Sequence, residues 1–194
     1  MKYFLLSCFL LCQLVVKAQV LHTYRDTVTN FHIGMPEKWK YKAYPDSPAV
    51  KLVVSDMDNA TGKPAPDNFL VTIFPDPGST VDSAFYLLHS ITGGDRLQDI
   101  DTGSYRVDGE RMLWFEDLRI GGTSNDTICA SYFLMYREET VYVITCITSP
   151  SRFQRSRELF HRIAQTFKIS FPSKKDLLLL TFPEILPSCY SISE

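Results

Sequence analysis

Two long stretches of strand-forming residues meet at Asp108-Gly109, and that dipeptide constrains the fold more than any other feature. Asp-Gly between alternating apolar runs is a strong hairpin signal, because a tight two-residue turn needs positive φ at both positions. The flanking runs are 104–107 and 110–120. A second pair, 127–136 and 141–148, surrounds 137–140 and is dense in Val, Ile, Tyr, Phe and Thr, the residues that fill a pleated central sheet. Consecutive hairpins make antiparallel neighbours. Shorter strand patterns lie at 30–33, stopped by Gly34-Met35-Pro36, at 49–55, and at 69–74, stopped by Pro75 and Pro77.

Two segments carry helical spacing instead. Val81, Ala84, Phe85, Leu88 and Ile91 recur at three and four residues and build one apolar face. Ser79 or Thr80 caps its start, Asp82 suits the first turn, and Gly93-Gly94 ends it in the left-handed conformation. The second helix is capped by Ser149, takes Pro150 in its first turn and runs to about Thr166. Phe153, Phe160, Ile163, Ala164 and Phe167 share its apolar stripe, while Arg152, Arg155, Arg157, Glu158 and Arg162 project elsewhere. The expected architecture is α+β: an antiparallel β-sheet of about six to seven strands with two main helices packed on it.

Lys2 opens the chain, 3–16 is almost wholly apolar, and Lys17-Ala18 closes the run. A positive start, a short apolar middle and small residues at Val16 and Ala18 describe a secretory signal peptide cut between Ala18 and Gln19. The run is shorter than the ~20 residues of a membrane-spanning helix, and no later stretch is long enough to span. Removing eighteen of the 194 residues leaves 176, enough for one domain, read as 19–170. The apolar tail 171–194, interrupted by Pro183 and Pro187, is read as docking over an edge in preference to self-association or free solvation. With Lys2 and Lys17 gone, 18 basic and 22 acidic residues give a formal charge of −4, which provides no footprint for nucleic acid or anionic lipid.

Chemistry-bearing motifs are sparse. The histidines, His22, His32, His89 and His161, lack the one-turn spacing of a zinc site, and no metal or cofactor is expected. Gly-x-Ser-x-Gly is absent, and the Gly93-Gly94 and Gly121-Gly122 pairs lack the pattern of a phosphate cradle. Asp56, Asp58 and Asn59 open like a calcium loop, but Thr61 and Asp67 hold the positions that need Gly and Glu. Glu116 and Asp117 fall on opposite faces of one strand. Of the mature cysteines, Cys129 and Cys146 lie on paired strands, where either a cross-strand disulfide or two buried free thiols fits. Trp39, Tyr41 and Tyr44, with the 56–67 loop, are the candidate recognition surface. Asp26-Thr27-Val28, Asp82-Ser83-Ala84 and Asp126-Thr127-Ile128 match the Asp-Ser/Thr-apolar site of O-glycosylated exported bacterial proteins, giving Thr27, Ser83 and Thr127 as candidates. Asn59-Ala60-Thr61 and Asn125-Asp126-Thr127 are N-glycosylation acceptor patterns.

The run Phe31-His32-Ile33-Gly34-Met35-Pro36 with Trp39, the Asp108-Gly109 hairpin and the closing Thr166-Phe167-Lys168-Ile169 resemble the PsbP-like superfamily, with its Mog proteins and bacterial DcrB-type envelope proteins. The resemblance covers about 29–169 and implies an antiparallel sheet sandwiched by helices. It supplies no shared catalytic set. A fold hosts many activities, so the expectation is an exported, non-catalytic domain that binds a protein or small ligand. The alternatives are a self-assembly or attachment protein using its tail, and a hydrolase-like enzyme whose residues meet only in three dimensions, beside a cleft with a His–acid pair or several acids.

Overall fold

The computed structural model describes residues 19–57, 64–76, 78–121 and 126–170, with side chains undescribed at Met57 and 64–66. Residues 1–18, where a leader and its Ala18 junction were expected, the segment 171–194, Asp58 to Thr61 and Asn125 lie outside the described residues.

Among the described residues, ten strands and two α-helices follow in sequence: β1 Leu21–Arg25, β2 Phe31–Pro36, β3 Lys40–Ala43, β4 Val50–Met57, β5 Pro64–Pro75, α1 Val81–Ile91, β6 Arg96–Val107, β7 Glu110–Gly121, β8 Asp126–Arg137, β9 Thr140–Thr148, α2 Phe153–Gln165 and β10 Lys168–Ile169. Seven strands form an antiparallel sheet in the order β3-β4-β5-β9-β8-β7-β6, and β1-β2-β10 form a smaller one. This is the expected α+β arrangement. Both faces of the large sheet are covered. On one, α1 packs Ala84 against Phe115, Ala130, Tyr132, Leu134 and Val143. On the other, Phe160, Ile163, Ala164 and Phe167 close over Phe31, Leu52, Phe69, Phe133 and Ile144. A strand buried on both faces reads as a continuous apolar run, and β8 is buried at every position from Cys129 to Met135.

The hairpin tip is as expected, with Asp108 at φ 52° and Gly109 at φ 83°. Several other local expectations are corrected. β6 begins at Arg96, because its first half is polar, exposed and interrupted by two register shifts, so it lacks the alternation that marks a half-buried strand. β1 and β3 are short and mostly exposed, and they too escape pattern reading. Ile91 is 69% exposed and leaves the apolar face of α1. Of the two expected caps, Thr80 is the one used, in a reciprocal box with Ser83. The helix ends on Thr92 in a right-handed conformation, its hydroxyl bonded to the Leu88 carbonyl at 2.8 Å, with Gly93–Asp95 forming a 3₁₀ turn in place of a left-handed glycine cap. Ser149-Pro150-Ser151 make a turn, and α2 starts at Phe153 without a side-chain cap.

Gly34 explains its own place in the β2 motif. Its N–H donates to Thr166 Oγ1 at 2.7 Å, and a Cβ there would sit 2.8 Å from that oxygen. The two ends of the resemblance, 31–36 and 166–169, therefore meet across one seam, where β10 pairs with β2.

Candidate functional site

Of the four buried carboxylates among the described residues, Glu116, Asp117 and Asp67 organise the polar chemistry, and each meets a guanidinium where it sits, while Asp26 caps the Val28 and Thr29 amides. Glu116 and Asp117 are neighbours on β7, so the pleat sends them to opposite faces. Glu116 is fully buried beneath α2. Its Oε1 accepts from Ser131 Oγ at 3.1 Å and lies 3.0 Å from His161 Nε2, and its Oε2 accepts from Arg157 Nε at 2.7 Å. His161 Nδ1 lies 2.7 Å from the Tyr105 hydroxyl. Both ring nitrogens of His161 are thereby engaged, Nε2 by Glu116 and Nδ1 by the Tyr105 hydroxyl. The ring is boxed by Trp114 at 4.8 Å and Phe133 at 5.1 Å, both edge-on. Burial, then the nearby Glu116, pushes the Tyr105 hydroxyl well above the usual phenol range. Arg157 reaches on to Asp101, whose carboxyl its hydrogen bond pulls below the usual carboxylate range.

Beside this string runs an open groove of about 380 Å³, lined by Asp101, Trp114, Gln154, Arg157, Glu158 and His161. Four of these, 154, 157, 158 and 161, are one stripe of α2 at helical spacing. That spacing is present in the sequence, where only Arg157 and Glu158 of the four are expected to project from the apolar stripe. Gly103 on β6 admits the Trp114 indole: a Cβ there would lie 2.5 Å from the ring.

Asp117 performs the same role on the α1 face. It accepts from Arg96 Nε at 3.2 Å and Arg119 Nε at 2.8 Å. Those guanidiniums bond the His89 carbonyl at 2.7 Å and the Thr92 carbonyl at 2.9 Å, so the end of α1 is tied to β7. Asp67 on β5 accepts from Thr148 Oγ1 at 2.6 Å, Ser156 Oγ at 2.8 Å and Arg152 Nη2 at 3.0 Å. It floors a smaller pocket of about 180 Å³ with Gln19, Lys38, Trp39, Asp56, Arg152, Arg155 and Leu159.

The aromatic stretch chosen from sequence divides. Trp39 turns inward at 7% exposure and packs with Phe69 as a wall of the small pocket. Tyr41 is exposed on the edge strand β3 against Tyr24, and half-buried Tyr44 takes Lys42 over its ring at 4.9 Å. No ring contact joins the three among the described residues. Thr27 and Thr127 are exposed, whereas Ser83 Oγ is held by the Thr80 amide and carbonyl at 2.8 and 3.0 Å. Cys129 stands opposite Thr148, and Cys146 opposite Ser131. The two thiols are diagonal, buried and unbridged, so the disulfide alternative is not formed. Burial raises both thiols, Cys146 well above its ordinary value. Among the described residues, no three His, Cys, Asp or Glu side chains gather as a metal site, and no helix is long and apolar enough to cross a membrane.

No family model and no curated protein matches the chain. Solved structures do. CyanoP, the cyanobacterial PsbP of Synechocystis, superposes with a TM-score of 0.55 and 20% identity, covering 80% of this chain and 96% of its own. LpqN of Mycobacterium tuberculosis, described as involved in cell envelope biogenesis, gives 0.54 and 8% identity over 78% and 91%. At such identities the shared property is the fold. An antiparallel sheet covered on both faces by helices, closed by the β2–β10 seam and superposable on a PsbP, identifies this chain as PsbP-like in fold.

Proposed function

We propose that the protein is an exported, non-catalytic binding domain. Its leader is removed before Gln19, and its body, residues 19–170, recognises a protein or small ligand at the groove between β6 and α2. The observation that carries this reading is the full commitment of the His161–Glu116 pair. A triad base also has both nitrogens bonded, but one of them holds a nucleophile that it can deprotonate; at His161 that place is taken by the Tyr105 phenol, which burial keeps protonated. Here both imidazole nitrogens and both carboxylate oxygens have partners, and Tyr105 stays a neutral phenol. The His–acid pair that a hydrolase-like reading requires does lie beside a groove, but it serves as a brace. The groove offers side chains fixed in advance, which lowers the ordering cost of binding.

Export is supported by the leader pattern and by where the body starts. β1 opens at Leu21, and the Gln19 carbonyl accepts from Arg162 Nη2 at 2.9 Å. The involvement of LpqN in cell envelope biogenesis is in keeping with that compartment.

A photo-crosslinking residue placed at Gln154 or Glu158 and exposed to light in the native cell tests the reading. The expected result is a discrete adduct from the groove positions that is absent when the probe stands at the exposed Asp46. No adduct above that control, or a hydrolytic turnover abolished by His161→Ala, overturns it.

A further inference from the structure

The small pocket beside Gln19 bears on a modification that follows from the proposed cut. Lys38, Arg152 and Arg155 line it together with Gln19, and Arg162 holds the Gln19 carbonyl. Two acids share the pocket, but both face Arg152: Asp67 at 3.0 Å and Asp56 at 3.6 Å. Lys38, Arg155 and Arg162 have no acid partner among the described residues. The backbone just after Gln19 is tied down beside these cations. Val20 accepts from the Glu37 amide at 3.3 Å, and β1 pairs with β2 from Leu21 onward.

A new α-ammonium at Gln19 would add a further positive charge to this cluster. Neighbouring cations disfavour such a charge and raise the fraction of free amine. A free α-amine on glutamine stands within reach of its own side-chain amide. We propose that Gln19, once exposed as the amino terminus, closes to the pyroglutamyl lactam. The α-nitrogen attacks Cδ, the new N–Cδ bond forms, and the Cδ–Nε2 bond breaks. One amine proton moves to the leaving nitrogen, which departs as ammonia. No oxidant or cofactor is needed. The product removes one positive charge from the pocket and leaves the terminus blocked. Gln19 is exposed, so the ring has room to form.

This inference rests on cleavage after Ala18, and two arms keep the failures apart. In the first, the protein is recovered from an exporting cell and its intact mass is measured. The expected mass is that of residues 19–194 less one ammonia, with sequencing from the amino terminus blocked until pyroglutamyl aminopeptidase is added. A mass that still includes 1–18 overturns the leader reading, and unmodified Gln19 overturns the lactam. In the second, the same chain is released from a fusion so that Gln19 is generated in vitro, and ammonia loss is timed with no leader involved. Cyclisation is expected to slow several-fold in a Lys38→Gln/Arg155→Gln double variant, whose changes are exposed and leave the Asp67 bonds intact. A chain that retains its ammonia, or a double variant that cyclises at the parent rate, overturns the proposal.

Discussion

Arg157 bridges two acids of opposite exposure, the buried Glu116 and the exposed Asp101, and this makes it the residue whose loss should matter most. Removing one partner of a buried pair leaves a charge without compensation, which typically costs about 3–5 kcal/mol. Arg157→Met should therefore lower the denaturation midpoint far more than Arg155→Met, whose side chain is exposed. Chemical denaturation of the two variants checks the difference. His161→Ala orphans the Tyr105 hydroxyl and one Glu116 contact and should cost about 1–3 kcal/mol. The sequence placed Glu116 and Asp117 on opposite faces correctly. It could not reveal that each face brings its own cations, since Arg157 lies 41 positions from Glu116 and Arg96 lies 21 from Asp117.

The helices and central strands were legible because their apolar periodicity is dictated by burial, and the β8 run announces a strand covered twice. The margins were not. β1, β3 and the first half of β6 are stabilised by pairing rather than by an apolar face, so they carry no period to read. Turn chemistry was partly visible. Asp108-Gly109 suits its two positive φ angles, but the equivalent tip between β8 and β9 holds Glu138 and Glu139 at φ 48° and 56°. Glutamate gains nothing from that conformation, whereas Asn-Gly is the preferred pair for it. Glu138→Asn with Glu139→Gly should raise stability by about 1 kcal/mol, seen as a higher midpoint with an unchanged denaturant slope. Lower stability would mean that the glutamate side chains contribute at the tip.

At the scale of the whole molecule, buried phenols make the fold sensitive to alkali. Burial pushes Tyr132 up to about 12 from its ordinary 10.0, and Tyr105 and Tyr142 are also raised chiefly by burial. The folded state holds these protons more tightly than the unfolded chain. Their contribution is complete below the ordinary phenol value and is lost as pH rises through the folded value. Stability should therefore fall between about pH 10 and pH 12, with phenolate absorbance from these residues appearing together with loss of the native circular dichroism. Phenolate that forms while the fold persists would contradict this. The thiols obey the same logic: Cys129 and Cys146 should resist alkylation until denaturant is added. Adjacent buried acids on β7 carry one more implication. Sliding that strand by a single residue would invert its pleat, bringing Asp117 under α2 and turning Arg119 away with it, while Glu116 left both Arg157 and His161. Such a slip would break both carboxylate networks at once, Glu116 losing Arg157 and His161 and Asp117 losing Arg96, so this pair of acids disfavours misalignment of the hairpin.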